Sequence, residues 1–377
     1  TITNSGDTNI TAFSLSDSTN FEINASGYIK TKTTIDYETT SSYSLEVNAT
    51  NSAGDSVNVD VNISILNINE RPSIDLTFLD INISEDSRTS NYDININDED
   101  GDSLTLSIDS NDTSILAITK NYSNPLNQAS YNKQTLDFNL TTLTDAFGEV
   151  RITMTLDDGD LNSTTYFDVN VTAQAIVHNN TTYYPVKSPY TGKIWLDRNL
   201  GSSQVCTAYN DSACYGDYYQ WGRDYDGHQE SNSTTITALA TDVNNTGHSS
   251  FIIEGSDWAN IDLNGSLRSA SWSKTDGTSV CPTAYRVPTL TELKNETTSQ
   301  GVKNNTDAYN NFLKLPSAGY RNFSGESMTN QGYYGFIWSS SVSGSGFKSR
   351  RLGFHSGNAY TYSINRANGV SVRCLKD

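Results

Sequence analysis

Residues 57–65 read VNVDVNISI, so that apolar Val57, Val59 and Val61 alternate with Asn and Asp. Strict alternation of this kind predicts a β-strand with one buried face. Helix-period patterns are nearly absent from the first half, and acidic turn clusters separate its apolar runs. We therefore expect short β-strands arranged as β-sandwiches there. The same alternation recurs at residues 43–47, 150–156 and 167–171, and the turn clusters lie at 98–102 and 157–160.

Length and charge limit the classes of protein that the chain can represent. Its 377 residues carry a net charge of -19, and this length predicts about two to four domains. A chain this acidic repels nucleic acid and anionic membranes, but it attracts cations such as calcium. No apolar run approaches the roughly 20 residues of a membrane helix, so we expect no membrane insertion in this fragment. The sequence starts without an initiator Met or a signal peptide, which favours a processed form or an internal fragment.

The composition of the chain changes near residue 176. All four Cys and all five Trp follow that point, whereas the residues before it are rich in Asn, Asp, Ser, Thr, Val and Ile. The change indicates that the chain combines two structurally different parts. We predict three domains, at residues 1–72, 73–176 and 177–377.

Three blocks give the first half a family resemblance. They are FEIN with GYIK at 21–30, the acidic IDYE at 35–38, and the linker-like NINERP at 67–72. These blocks resemble bacterial cadherin-like repeats over residues 10–72. Residues 73–172 resemble a second cadherin-like or immunoglobulin-like repeat more loosely.

The cadherin resemblance implies calcium between the two repeats. Carboxylates and Asn carbonyls supply the six to eight oxygens that calcium takes. The sequence departs from the family because Asn67 stands where Asp is usual, and because the linker is one residue shorter than in animal cadherins. The alternative is that these residues are solvated turn acids. The candidate ligands are Asp36, Glu38, Asn67, Asn69, Glu70, Asp98 and Asp100.

The first repeat lacks a match for the first strand of the family, which would precede Thr1. Either the natural chain continues upstream, or another copy of the protein donates that strand. A missing edge strand favours β-augmentation. Other copies of the chain are therefore candidate partners through strand exchange.

The last 195 residues or so contain ordered blocks of a different kind. They read YTGKIWLDRNLG at 190–201, YYQWGR at 218–223, CPTAYRVPT at 281–289, LPSAGYR at 315–321, WSSS at 338–341 and GVSVRC at 369–374. In this order they resemble the Fibrobacter-type major paralogous domain over residues 183–377. The resemblance implies a loop-rich α+β fold similar to C-type-lectin-like domains and to the formylglycine-generating enzyme.

Local signals in this domain predict two helices and two disulfides. Thr289 with Glu292 three residues later is an N-cap pattern, so a short helix begins there, and a second is expected at 308–315. Four Cys in an extracellular chain allow three pairings. We favour Cys206–Cys214 and Cys281–Cys374, as structural rather than redox or metal-binding pairs.

A candidate ligand surface lies near the end of the sequence. Tyr and Asn among small residues are typical of adaptable binding surfaces. The alternative is that aromatic residues there form core, which we expect of Phe336 and Trp338. The candidate surface consists of Tyr333, Tyr334, His355, Asn358, Tyr360 and Tyr362.

Many Asn residues lie in N-x-[ST] sequons, and twelve of these have Asp or Glu two residues before the Asn. Only about two would be expected by chance. The pattern resembles the extended sequon of Campylobacter-type bacterial oligosaccharyltransferases and implies N-linked glycans. Strand alternation alone would account for Asn62 and Asn170. The twelve are Asn9, Asn24, Asn48, Asn62, Asn82, Asn111, Asn139, Asn162, Asn170, Asn232, Asn244 and Asn264.

Catalytic signatures are missing from the sequence. Its four His show no metal-ligand spacing, and it contains no GxSxG, P-loop or dinucleotide motif. We therefore expect a non-enzymatic, secreted or surface-exposed bacterial glycoprotein, either an adhesin or a subunit of a filament or surface layer. A lectin-like tip that binds a host or neighbour surface ligand is the alternative. An enzyme built on the formylglycine-generating scaffold is a more distant alternative.

Overall fold

The computed structural model describes residues 9–54, 56–87, 89–127, 134–325, 327–344 and 346–377. It is mostly β, as the sequence predicted. The chain divides into two compact units, Thr1–Thr172 and Ala173–Asp377. The further division of the first unit near residue 72 remains a prediction. Among the described residues no helix precedes Ser212, and none of the helices is long and apolar enough to cross a membrane.

The start of the first unit contains a small, open β-structure. Its antiparallel sheet has the order β1-β4-β5, and β2 and β3 form a separate hairpin. Of the hydrophobic side chains described in this part, only Phe21, Leu45, Val47 and Ala49 are buried. The strands are β1 (Ile10–Leu15), β2 (Phe21–Ile23), β3 (Ile29–Thr31), β4 (Ser42–Asn51) and β5 (Ser56–Ser64).

The rest of the first unit is a two-sheet sandwich. One sheet has the order β10-β12-β8-β6 and the other β11-β9-β13-β14-β7. Alternate residues of the long strands point inward, and Leu106, Phe138 and Ile152 are completely buried between the sheets. The strands are β6 (Ser73–Leu76), β7 (Ile81–Ser84), β8 (Ser90–Asn97), β9 (Ser103–Ser110), β10 (Leu116–Lys120), β11 (Leu126–Asn127), β12 (Gln134–Thr142), β13 (Gly148–Asp157) and β14 (Asn162–Thr172).

In its described residues, the second unit combines short strands, long loops and three short α-helices. All five Trp of the chain are buried in it, and their ring N–H groups donate to buried acceptors, as Trp338 does to the carbonyl of Tyr219 at 2.8 Å. Its polar core includes Asp257, which accepts from Arg268 and Arg366. The two disulfides have the pairing expected from the sequence, Cys206–Cys214 and Cys281–Cys374.

The helices of the second unit agree only partly with the sequence analysis. The helix after Thr289 is present with its reciprocal capping box to Glu292. The second expected helix was misplaced: it spans Asn305–Asn310 rather than 308–315, because Asn304 caps it by accepting from the N–H of Asp307. The helices are α1 (Ser266–Trp272), α2 (Leu290–Glu296) and α3 (Asn305–Asn310), with 3-10 turns at Ser212–Cys214 and Thr298–Gln300.

The strands of the second unit form several small sheets. The one that matters most below is the antiparallel sheet β25-β26-β27. The strands are β15 (Ile176–His178), β16 (Thr181–Tyr183), β17 (Pro185–Lys187), β18 (Ile194–Leu196), β19 (Tyr219–Gln220), β20 (Thr235–Ile236), β21 (Phe251–Ile252), β22 (Tyr285–Arg286), β23 (Tyr320–Arg321), β24 (Met328–Thr329), β25 (Gly335–Val342), β26 (Lys348–His355), β27 (Asn358–Asn365), β28 (Gly369–Val370) and β29 (Leu375–Lys376).

Candidate functional sites

The linker between β5 and β6 is fixed by one carboxylate. Asp100, in the turn between β8 and β9, accepts the backbone N–H of Glu70 at 2.8 Å and the side-chain amide of Asn67 at 2.8 Å. Gly101 directly follows Asp100 and allows this turn, because glycine readily adopts the positive φ of 74° found there. The carboxylate of Asp100 thus holds the linker against the β8–β9 turn.

Five carboxylates converge at this point, which we call the junction cluster. Glu38, Glu70 and Asp100 each place an oxygen within 4.8 Å of the others, and Asp98, Asp100 and Asp102 do the same. Asp100 belongs to both groups and joins them. The donor set therefore consists of carboxylate oxygens, which are the ligands that calcium prefers.

Three oxygens of the junction cluster are buried without a hydrogen-bond partner. They are Oε1 of Glu38, Oε2 of Glu70 and Oδ2 of Asp98. Burial raises the pKa of Glu38 and of Glu70, and neighbouring carboxylates, including Asp100, raise both further. Burial and the charge of Asp98 also raise the pKa of Asp102. Unpaired, mutually repelling carboxylates fit a bound divalent cation, because a cation would satisfy the oxygens and cancel the repulsion.

The other predicted ligands lie at the border of the junction cluster. Asn69 donates its side-chain amide to Asp158 at 3.1 Å. Asp36 is engaged within its own loop, where it accepts from the hydroxyl of Thr39 at 2.6 Å, and this bond lowers its pKa. The sequence analysis did not assign Asp102 or Asp158 to the site. Asp102 belongs to the acidic run at 98–102, of which only Asp98 and Asp100 were assigned as ligands, and Asp158 belongs to the run at 157–160, which was interpreted only as a turn.

Four residues of the candidate ligand surface lie in strands of the sheet β25-β26-β27, and Tyr333 and Tyr334 directly precede β25. Strand register places Arg351 between Trp338 and Tyr362, and Gly353 between Phe336 and Tyr360. Phe336 and Trp338 are buried, as expected, whereas 61% of Tyr362 is exposed. Tyr333 and Asn358 are also exposed, and Tyr360 is half-buried rather than a surface residue. The ring of His355 lies 4.9 Å from that of Tyr334 and 6.0 Å from that of Tyr360.

Arg351 is a residue of this sheet that the sequence analysis missed. It is 5% exposed, and its guanidinium lies 3.9 Å from the ring centre of Phe336 and 5.4 Å from that of Tyr360. Its Nε and Nη1 have no hydrogen-bond partner, and burial lowers its pKa. A Cβ at position 353 would lie 1.9 Å from Nη1, so glycine there leaves room for the guanidinium. Three residues of the candidate ligand surface, Tyr333, Tyr334 and His355, line a cavity of about 720 Å³ together with Tyr209, Asn210 and Asn305.

The acid-preceded sequons are accessible. Ten of the twelve Asn residues are exposed, and the remaining two, Asn48 and Asn139, are half-buried within sheets. Asn111, Asn232, Asn244 and Asn264 lie outside strands. Strand alternation therefore does not account for the acid before these four.

Comparisons with known proteins found distant structural neighbours. No protein-family model matches the chain, and no curated protein does. Extracellular cadherin domains 1–4 of protocadherin gamma B7 align at 23% identity over 42% of this chain and 40% of that one, with a TM-score of 0.30. Domains 3–6 of protocadherin gamma B2 align at 19% identity over 51% of this chain and 49% of that one, with a TM-score of 0.33. Domains 4 and 5 of the S-layer protein SbsC align at 11% identity over 42% and 68%, with a TM-score of 0.22.

These alignments carry no argument about function, since their TM-scores are all low. The chain spans less than half the length of the two protocadherin structures. The resemblance of residues 183–377 to the Fibrobacter-type domain remains a prediction.

Proposed function

We propose that this chain is a non-enzymatic, extracellular bacterial protein that acts in adhesion or as a subunit of a surface structure. In this proposal the first unit is a stalk that calcium stiffens. The observation that carries it is the junction cluster, where three buried carboxylate oxygens have no hydrogen-bond partner. Glu38, Glu70, Asp98, Asp100 and Asp102 would hold the ion. The bound ion would tie the linker to the β8–β9 turn through opposite charge.

Calcium titration of the intact chain tests this proposal. We expect calcium to raise the unfolding temperature of the first unit and chelator to reverse the effect. Small-angle scattering should show a longer, less variable particle with calcium than with chelator. Magnesium serves as the control, because it demands a smaller octahedral site and retains its waters. Identical scattering and unfolding with calcium and with chelator would contradict the proposal.

Electron microscopy of the secreted material distinguishes the two extracellular roles. Filaments or sheets built from many copies would support a structural subunit. Single rods that end in a knob would support an adhesin.

A ligand-binding tip is the second candidate function, and Arg351 favours it. The buried guanidinium of Arg351 has two nitrogens without partners and lies beside the half-buried Tyr360 and the exposed Tyr362. This arrangement suits an acidic saccharide, whose carboxylate pairs with Arg and whose ring stacks on Tyr. Retention of the chain on polyuronate beads, with neutral dextran beads as the control, tests this role. Tyr362→Ala should reduce retention without unfolding the chain, because that side chain is mostly exposed. Equal retention on both supports would contradict the acidic-saccharide role.

A further inference from the structure

Four separate stretches of the second unit meet around the cavity of about 720 Å³. They are the loop closed by the Cys206–Cys214 disulfide, the start of α3, the segment before β25 and the end of β26. The volume lies within the range of about 300–1,000 Å³ that is typical of small-molecule sites. We call it the tyrosine cavity, and its lining includes Tyr209, Asn210, Asn305, Tyr333, Tyr334 and His355.

Backbone hydrogen bonds hold the walls of the tyrosine cavity in place. The N–H of Ser317 donates to the carbonyl of Tyr209 at 2.6 Å, and the N–H of Gly332 donates to the carbonyl of Ser317 at 2.8 Å. The N–H of Gly319 donates to the carbonyl of Tyr334 at 2.7 Å. These bonds fix the cavity from within the chain, and a preformed site lowers the ordering cost of binding.

The tyrosine cavity is lined without formal charge. None of the described residues that line it is Lys, Arg, Asp or Glu, although the chain has a net charge of -19. Asp211 follows Asn210 directly, but its carboxylate is engaged within its own loop, where it accepts from Gln204 and Thr207 at 2.9 Å. A charged ligand would therefore find no opposite charge in the lining, which favours an uncharged one.

Two side-chain nitrogens of the lining can donate to a ligand. Asn305 is 5% exposed, and its Oδ1 accepts the N–H of Thr306 at 3.0 Å. Its Nδ2 donates to no group in the part of the chain that the structure describes. Nδ1 of His355 accepts the N–H of Gly357 at 3.1 Å, so that the neutral ring carries its proton on Nε2. A buried amide without an acceptor is unfavourable, and a ligand oxygen would satisfy it.

Aromatic rings supply the apolar surface of the tyrosine cavity. Tyr333 is 74% exposed, and the half-buried ring of Tyr334 lies 4.9 Å from that of His355. A pyranose combines C–H groups, which stack on aromatic rings, with hydroxyl oxygens, which accept from amide and imidazole N–H groups. Aromatic walls with a few placed polar groups are typical of sites for such ligands.

We infer that the tyrosine cavity binds an uncharged pyranose, which stacks on its Tyr rings and accepts hydrogen bonds from Asn305 and His355. This site is separate from the one proposed for an acidic saccharide, because Arg351 is not among the residues that line it. The inference also needs no calcium. Uncharged pyranoses occur both in glycoprotein glycans and in polysaccharides, and the cavity would recognise the chemistry that they share.

Fluorescence anisotropy with labelled tetrasaccharides of β-linked glucose, galactose and mannose tests the inference. The full chain is made in a host without N-glycosylation, so that Asn210 stays unmodified. We expect saturable binding of at least one probe. Asn305→Asp should weaken this binding about tenfold or more, because the substitution keeps the acceptor for Thr306 but removes the donor.

A second variant tests the stacking without altering a buried residue. Tyr333→Ala should weaken binding about tenfold, because it removes an exposed ring, whereas Tyr333→Phe keeps the ring and should bind like the unchanged chain. Tyr28→Ala is the matched control, since Tyr28 is also 74% exposed but lies in the first unit. It should bind like the unchanged chain.

Tetragalacturonate distinguishes an acidic ligand from an uncharged one. Tyr333→Ala should leave any binding of this probe unchanged, because the lining offers no cation to its carboxylates. Loss of its binding in that variant, to the extent seen for the uncharged probes, would overturn the inference. So would absent binding of all three uncharged probes, or binding that both Asn305→Asp and Tyr333→Ala leave unchanged. Competition by a neutral glycoprotein glycan or by a linear polysaccharide then identifies the source, and either competitor supports the inference.

Discussion

The carboxylate of Asp100 accepts the backbone N–H of Glu70 at 2.8 Å, while a side-chain oxygen of Glu70 lies within 4.8 Å of an oxygen of Asp100. The same two residues therefore attract each other through the backbone and repel each other through their side chains. A cation at this point would keep the attraction and remove the repulsion. Substituting Glu70 tests whether a cation offsets the charge of its side chain.

We expect Glu70→Gln to have opposite effects with and without calcium. Burial and nearby carboxylates raise the pKa of Glu70, so its ionisation opposes folding as the pH rises through its ordinary pKa toward neutrality. In chelator at pH 7 the variant should therefore unfold at a higher temperature than the unchanged chain. In calcium it should lose about tenfold or more in affinity for the ion, since one ligand oxygen loses its charge.

Calorimetric unfolding in both buffers measures this sign change. Glu149→Gln is the matched control, because Glu149 is exposed on β13 away from the junction cluster. It should have little effect in either buffer. A shift of the same sign for Glu70→Gln with and without calcium would show that no ion binds there.

The two disulfides should contribute unequally to the stability of the second unit. Cys281–Cys374 spans 93 residues, and Cys206–Cys214 spans 8. Loop-closure entropy predicts about 4.5 kcal/mol for the longer loop and about 2.5 kcal/mol for the shorter one. Paired Cys→Ser substitutions followed by denaturant unfolding should show this order. A greater loss from removing the shorter loop would contradict the entropic account.

Features that depend on neighbouring residues could be predicted from the sequence. Alternation identified the strands around 57–65 and 150–156, because a two-residue period fixes which face is buried. The capping box of Thr289 and Glu292 located the start of α2, because the two capping residues lie within four residues of each other.

The Cys281–Cys374 disulfide joins distant residues and was predicted, but other features that depend on distant residues could not be predicted. Helix α1 was missed because Gly265 provides no side-chain cap, and its stability comes from Arg268, which binds Asp257 and Asp262 in the core. Arg351 reads as a surface cation in KSRRLGF, but Phe336 and Tyr360 from two other strands cover it. The cadherin resemblance implied that Glu38, Glu70 and Asp98 share a site, but the lack of hydrogen-bond partners for their oxygens could not be predicted, since it depends on three separate stretches of chain.

Asp217 should make the stability of the second unit depend on pH. Burial raises the pKa of this carboxyl to about 7, although the hydroxyl of Tyr219 donates to it at 3.2 Å. An acid with a raised pKa opposes folding once the pH exceeds its ordinary value, and the full cost is present above its folded pKa. Asp217→Asn should therefore stabilise the unit at pH 8, by about 4 kcal/mol at most, and have little effect at pH 4.

The free energy of unfolding, measured for both chains from pH 4 to 8, checks this expectation. Exposed Glu254→Gln is the control and should give a small difference at every pH. A stabilisation by Asp217→Asn that is equal at pH 4 and pH 8 would assign the effect to packing rather than to ionisation.

Exposure does not separate the sequons that have a preceding acid from those that lack one. Ten of the twelve Asn residues with the acid are exposed. Of the seven without it, five are exposed and two, Asn304 and Asn322, are half-buried. The seven are Asn121, Asn179, Asn180, Asn210, Asn295, Asn304 and Asn322. Access to a transferase would therefore favour both sets nearly equally.

We predict that glycans occupy the acid-preceded set preferentially. The reason is that the transferase would recognise the acid, whereas exposure is similar in sequons with and without it. Intact-glycopeptide mass spectrometry of the natural protein measures occupancy site by site. Asn232 and Asn210 form a matched pair, since both are exposed residues of loops in the second unit, and only Asn232 follows an acid, Glu230. Substituting Glu230→Gln should abolish the glycan at Asn232 and leave the other sites unchanged. Equal occupancy of Asn232 and Asn210, or retention of the glycan in the Glu230→Gln variant, would remove the role of the acid.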